Sequence, residues 1–154
     1  MPGNLYSQYM KVVFLILLFV PLIKTDIEKR IIPNFYPVCI AVFGFLIMFS
    51  TDRKHLESDI KSSVSALLVT AVCLSAVRLF MKDGFGMGDV KLMLSLSWLQ
   101  GLEVFIVTME VTALVSFLFV AIMLAAKKLE KDSTLPFVPF AAIGAVASQM
   151  LACA

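Results

Sequence analysis

The sequence predicts an all-α membrane protein, a bundle of six transmembrane helices with both termini outside. Three observations predict it. Of 154 residues, 60% are apolar and 16% are charged, against about 45–50% and about 25% in soluble domains. The mean hydropathy is +0.96. The apolar residues are gathered into runs near the length that crosses hydrocarbon, about 20 residues each, separated by polar punctuation. A small water-soluble globule could not hide so much apolar surface, which excludes a soluble enzyme. Disorder is excluded too, since disordered chains are poor in apolar residues. The net charge of +2 is too small to point to nucleic acid.

The first span is expected at about 5–23, with Tyr6 and Tyr9 as interface aromatics. A cleaved signal peptide fits this segment poorly, because Lys24-Thr25-Asp26 follows Ile23 where a small-x-small site would stand. The second span is about 32–50 and the third about 64–80. The run 90–126 is too long for one span and slightly short for two. Its only polar interruption, Gln100-Gly101-Leu102-Glu103, divides it into a fourth span of about 89–100 and a fifth of about 103–126. The run 90–99 is about 15 Å long at 1.5 Å per residue, half the apolar thickness of about 30 Å. Either that helix starts below the surface or it is a re-entrant half-span. The sixth span is about 135–154. The whole chain, 1–154, reads as a single transmembrane domain with no internal repeat.

Loop charge chooses between these readings. With six spans, the inner connections carry Lys24, Lys29, Arg30, Arg78, Lys82, Lys91, Lys127, Lys128 and Lys131, and the outer ones Lys11, Arg53, Lys54 and Lys61. That division of all 13 basic residues agrees with the excess of Lys and Arg on the cytoplasmic side. A re-entrant fourth element would move Lys127, Lys128 and Lys131 outside and erase the asymmetry.

Cys39, Cys73 and Cys153 lie far apart in apolar runs with no Cys-x-x-Cys pair, so a zinc ribbon is out and three small buried residues are expected. His55, alone in a polar stretch, reads as a solvated loop residue. No His-Glu-x-x-His and no Ser/His/Asp set is present, and neither metal nor cofactor is expected.

Carboxylates are what remains for chemistry. Asp26 directly follows the first span and Asp89 directly precedes the apolar run of the fourth, which puts both at the inner face. Asp89 ends the segment Gly84-Phe85-Gly86-Met87-Gly88-Asp89. Glycine permits φ > 0 and close approach of another chain, and the first turn of a helix favours a carboxylate. A phosphate loop is disfavoured, since the carboxylate would repel an anion and no Gly-Lys-[Ser/Thr] follows. Two carboxylates sharing one proton form the working unit of an aspartic protease. A plain turn with an acidic helix start is the other reading.

The segment Gly86-Met87-Gly88-Asp89-Val90-Lys91-Leu92 resembles the Gly-x-Gly-Asp-x-Lys-Leu motif of the type IV prepilin peptidases, membrane aspartic proteases of the GxGD group. Asp26 stands seven residues before Pro33-Asn34, a spacing similar to that after the family's first catalytic aspartate. Pro136-Phe137-Val138-Pro139-Phe140, followed by small residues and Gly144, resembles a third family signature. The resemblance implies that Asp26 and Asp89 are catalytic. Gly86, Gly88, Lys91, Pro33, Asn34, Pro136 and Pro139 would support the loop and the substrate. It implies an inner-membrane, multi-pass enzyme that cuts the short basic leader from prepilins at the cytoplasmic face. Only eight residues, 24–31, join the first two spans, with no cysteine. The cytoplasmic Cys-x-x-Cys domain and methyltransferase activity of larger members are therefore not expected. The compact form resembles the peptidases of tight-adherence (Flp) pili or the preflagellin peptidases. A small transporter using the two aspartates as ion sites is the non-enzymatic alternative, and it would need polar groups along a path through the bilayer.

Three expectations concern other residues. Glu110, with Thr108 and Thr112 near it, is expected to make an interhelical hydrogen bond in the fifth span. Asp83 beside Lys82 reads as a solvated rival to Asp89. Ala141/Ala145 and Gly144/Ser148 form small-x-x-x-small pairs that allow close helix contact.

Overall fold

The computed structural model describes residues 2–50, 53–80, 86–126 and 136–153. Among these residues all regular structure is helical, in six helices: α1 (Pro2–Lys29), α2 (Phe35–Ser50), α3 (Arg53–Phe80), α4 (Met87–Gln100), α5 (Leu102–Ala125) and α6 (Val138–Leu151). Two stretches, Leu56–Leu79 and Leu102–Ala125, are long and apolar enough to cross a membrane, and Phe35–Phe49 and Val138–Leu151 are shorter apolar helices.

Helix α1 outlasts its apolar run by nearly two turns. Val12, Leu15, Phe19, Leu22 and Asp26 are all buried and recur at intervals of three and four, which places them on one helix face. Asp26 is therefore the last position of the buried stripe inside the helix. Arg30, at φ 52°, ends the helix in a left-handed turn, with its N–H donating to the Asp26 carbonyl at 2.9 Å. Helix α2 starts at Phe35 rather than at 32. Pro33 belongs to the turn before it, whose carbonyl accepts from Tyr36 N–H at 3.2 Å, and Ile32 is drawn into the core.

Helix α3 starts at Arg53 rather than at 64. The polar stretch before the apolar run is helical, supported by good helix formers and an i, i+4 pair of Lys61 and Glu57 at 2.6 Å. His55 is thus a helical residue, not a loop residue. The division of the long run falls where the polar interruption puts it. Gly101 sits between α4 and α5 at φ 76°, a conformation that glycine adopts without a Cβ clash.

Helix α4 is the centre of the bundle. It packs on α2, α3, α5 and α6, and its Leu92 and Leu96 share a core with Leu15, Phe19 and Leu22 of α1. From Leu92 to Gln100 none of its residues is exposed. Fourteen residues span only about 21 Å, which a helix shielded by its neighbours tolerates.

At the end of α4 away from Asp89, Gln100 ties three helices together. Its amide donates to the Ala145 carbonyl of α6 at 3.1 Å and accepts from the Thr108 hydroxyl of α5 at 2.8 Å. Thr108 also bonds Ser148, and Gln149 of α6 donates to Gln8 of α1. Buried polar groups in an apolar bundle must find such partners.

Helices α5 and α6 approach most closely at Gly144. A Cβ there would meet the Thr112 hydroxyl and lie 2.7 Å from the Thr108 carbonyl oxygen. Gly144→Ala is therefore expected to force the helices apart at a cost of about 1–3 kcal/mol. The check is the thermal midpoint in detergent; an unchanged midpoint would show that α5 and α6 have slack.

Two expectations fail at exposed positions. Thr108 and Thr112 point into the α5–α6 contact, whereas Glu110 is exposed on another face of α5, and among the described residues it makes no interhelical hydrogen bond. Of the three cysteines, Cys73 is exposed and Cys39 and Cys153 are half-buried. Lipid is as apolar as the core, so an apolar residue gains little by facing inward. Asp83, Lys82 and the cluster Lys127, Lys128 and Lys131 lie outside the described residues.

Candidate active site

Three helix ends make the site. The last turn of α1 presents Asp26, the first turn of α4 presents Asp89, and α6 begins at Val138. Asp26 is only 6% exposed. Its Oδ2 accepts a hydrogen bond from Val138 N–H at 3.1 Å, which orients the carboxylate and joins α1 to α6. Val138 lies between two prolines, which have no N–H, so its amide is a donor the sequence Pro136-Phe137-Val138-Pro139 leaves available. That pattern was the signal by which this partner could have been found.

Asp89 is half-buried. Asp26 and Asp89, 63 positions apart in the chain, line one pocket of about 480 Å³ with Ile32, Gly88, Pro136 and Phe137. The charge of Asp26 is felt at Asp89. Asp89 thus sits in a partly desolvated cleft with a second carboxylate on its wall, where two like charges oppose each other.

The glycines before Asp89 are needed for space, not for unusual backbone angles. Gly86 has φ −64° and ψ 136° and precedes the helix, while Gly88 is already helical. Of the two properties glycine offers there, positive φ is not used at either position. A Cβ on Gly88 would stand 2.9 Å from the Cβ of Ile32, and one on Gly86 would stand 3.2 Å from Asp89 Oδ2. Gly84 lies outside the described residues.

Of the other residues singled out from the sequence, Gly86, Gly88 and Pro136 line the pocket. Lys91 and Asn34 do not. The Lys91 ammonium donates to Asn34 Oδ1 at 2.9 Å, linking the start of α2 to the first turns of α4 beside the pocket. Pro33 shapes the turn that delivers Ile32. Pro139 occupies the first turn of α6, where its missing N–H costs little. Sequence reasoning missed Ile32 as the wall against Gly88, since nothing in the local pattern marks it.

The arrangement puts two carboxyl groups, able to take up and give protons, on the wall of one pocket. A sequence model described as the type IV leader peptidase family matches residues 12–127. The matched segment contains both aspartates. No curated protein and no solved structure matches the chain.

Proposed function

The chain belongs to the type IV leader peptidase family, and from that premise we propose that it is an aspartic endopeptidase that removes the basic leader of Flp-like type IV prepilins. Family membership makes it a protease. The observation that carries the aspartic mechanism is the meeting of Asp26 and Asp89 in one pocket.

One carboxylate takes a proton from water, whose oxygen attacks the carbonyl carbon of the scissile peptide bond. The other carboxyl, protonated, donates to the carbonyl oxygen. The tetrahedral intermediate then collapses: one of its hydroxyls returns its proton to the pair as C=O re-forms, the C–N bond breaks and the leaving amine takes up a proton from the pair. The new carboxyl and amine account for both parts of the water. The Val138 N–H holds Asp26 in place throughout, so the pair is oriented before substrate arrives.

We place the pocket at the cytoplasmic face of the inner membrane, in a six-span chain with both termini outside. Lys24, Lys29, Arg30 and Lys91 support this, since all four lie at the pocket's end of the helices that carry them. A transporter is disfavoured by the core. Leu15, Phe19, Leu22, Leu92 and Leu96 separate the carboxylates from the polar cluster around Gln100, and among the described residues no ionisable group lies in the core between them.

Co-expression with an Flp-type prepilin should yield pilin shortened by its leader, read by mass. Intact prepilin beside abundant enzyme would overturn the reading. The Lys91–Asn34 hydrogen bond should matter less than the aspartates, because an exposed bond contributes only about 1 kcal/mol. Lys91→Met and Asn34→Ala are each expected to slow leader removal by less than about tenfold. The double variant should be no slower than the worse single, since both remove one bond. A markedly slower double variant would show that the two side chains act separately.

A further inference from the structure

We propose that a second copy of this chain docks along α5, with the Glu110 carboxyls of the two copies hydrogen-bonded to each other within the membrane. The surface is set out by the helix itself. Helix α5 has two faces. Phe105, Thr108 and Thr112 are buried against the rest of the bundle. On another face Ile106, Glu110, Ala113, Phe117 and Leu124 are exposed, with Val120 half-buried between the last two. These positions advance by four, three, four, three and four residues. That is the spacing of a helix–helix seam packed knobs into holes; α3 borders it at Ile106 and Glu110 across a groove, and beyond them no described helix lies upon it. Ala113, small and next to Glu110 on the seam, allows a second helix to approach closely.

Glu110 identifies the occupant. It lies eight residues after Leu102 in the 24-residue stretch long and apolar enough to cross a membrane, about 12 Å along the axis. Among the described residues no side chain or backbone group hydrogen-bonds or ion-pairs with it. It stands at the rim of an apolar groove of about 380 Å³ between α3 and α5. A carboxyl in hydrocarbon without a partner is costly. The neutral acid carries one O–H donor and free acceptor capacity, so it complements a copy of itself through two O–H···O bonds. Two copies inserted in the same sense are related by an axis along the membrane normal. Each Glu110 then meets its equivalent at the same depth, as an isologous interface requires. No other partner has its matching group placed at that depth by symmetry alone.

The test uses the full chain with Cys39, Cys73 and Cys153 changed to Ala, reconstituted in phospholipid vesicles. Energy transfer between labelled copies should report a dimer. Glu110→Gln, which keeps donor and acceptor, should dimerise within about threefold of the parent, and Glu110→Leu at least about tenfold more weakly. Under oxidation Ala113→Cys should form a disulfide-linked dimer, while Ile122→Cys, exposed on a different face of α5, should not. A monomeric parent would overturn the proposal. So would undiminished dimerisation of Glu110→Leu, or cross-linking through Ile122→Cys as efficient as through Ala113→Cys. The readout is association, independent of whether the chain cleaves prepilin.

Discussion

Asp26→Asn and Asp89→Asn are each expected to slow leader removal by roughly 10²–10⁴-fold, the usual contribution of a positioned acid or base, with the protein still present in the membrane at its normal level. Asparagine is nearly isosteric with aspartate, and at position 26 its amide oxygen still accepts the Val138 N–H bond, so the junction of α1 and α6 survives. At position 89 the change removes the charge that opposes Asp26. What is lost in either case is the ability to hold and pass a proton. On the proposed shared-proton mechanism, the double variant should be little slower than either single one. Glu28→Gln serves as the control. Glu28 is also on α1 and pairs only loosely with Lys24, at 4.0 Å, so its loss should leave the rate unchanged. The measurement is leader removal over time, normalised to membrane-bound enzyme. A normal rate in either single variant would remove the dyad.

Gly88→Ala should lose most of its activity, by about a hundredfold, while the protein still accumulates. Its added methyl would sit 2.9 Å from Ile32 Cβ. Ile32 is β-branched and buried against the core, and the clash involves its first side-chain carbon, so no change of rotamer relieves it. The first turn of α4 must shift instead, and Asp89 is the next residue. A displacement of about 1 Å at a catalytic group costs about a hundredfold, whereas the overpacking itself costs about 1–3 kcal/mol. Gly86→Ala presses on the Asp89 carboxylate at 3.2 Å and should be intermediate, since a carboxylate can rotate where a β-carbon cannot. An unimpaired Gly88→Ala enzyme would mean that the α4 turn has room to move without displacing Asp89.

Much of the candidate site was legible as motif and little of it as geometry. Asp26, Asp89 and the glycines stood out by spacing, and of the two reasons for the glycines, positive φ and close approach, the structure shows only close approach. Ile32 and the Asp89 carboxylate lie against them; the second contact is three residues away, and the first, 56 positions away, is not readable locally. The stripe Val12, Leu15, Phe19, Leu22, Asp26 was readable in principle, and it would have placed Asp26 inside α1 instead of after it. The helical start of α3 was missed because hydropathy marks where a chain is apolar, while helix formation continues through polar residues that favour it.

By itself the sequence determined the six helices of the described residues and their order, the break at Gly101 and the two aspartates proposed for the chemistry. These follow from properties carried within a few residues: apolar run length, a glycine at a positive φ, a carboxylate at a helix end. Only the tertiary structure decided which side of each helix faces inward, that α4 is the central helix, and that Asp26 and Asp89 share a pocket. In water, burial sorts apolar from polar residues and so reveals the inner face. In lipid, a leucine or a cysteine is nearly as well placed outside as inside, and hydropathy loses that information. Facing is then set by close contacts such as Gly144 on Thr112 and by polar groups that need partners. Gln100, Thr108 and Ser148 found theirs inside the bundle, and Glu110 has none among the described residues.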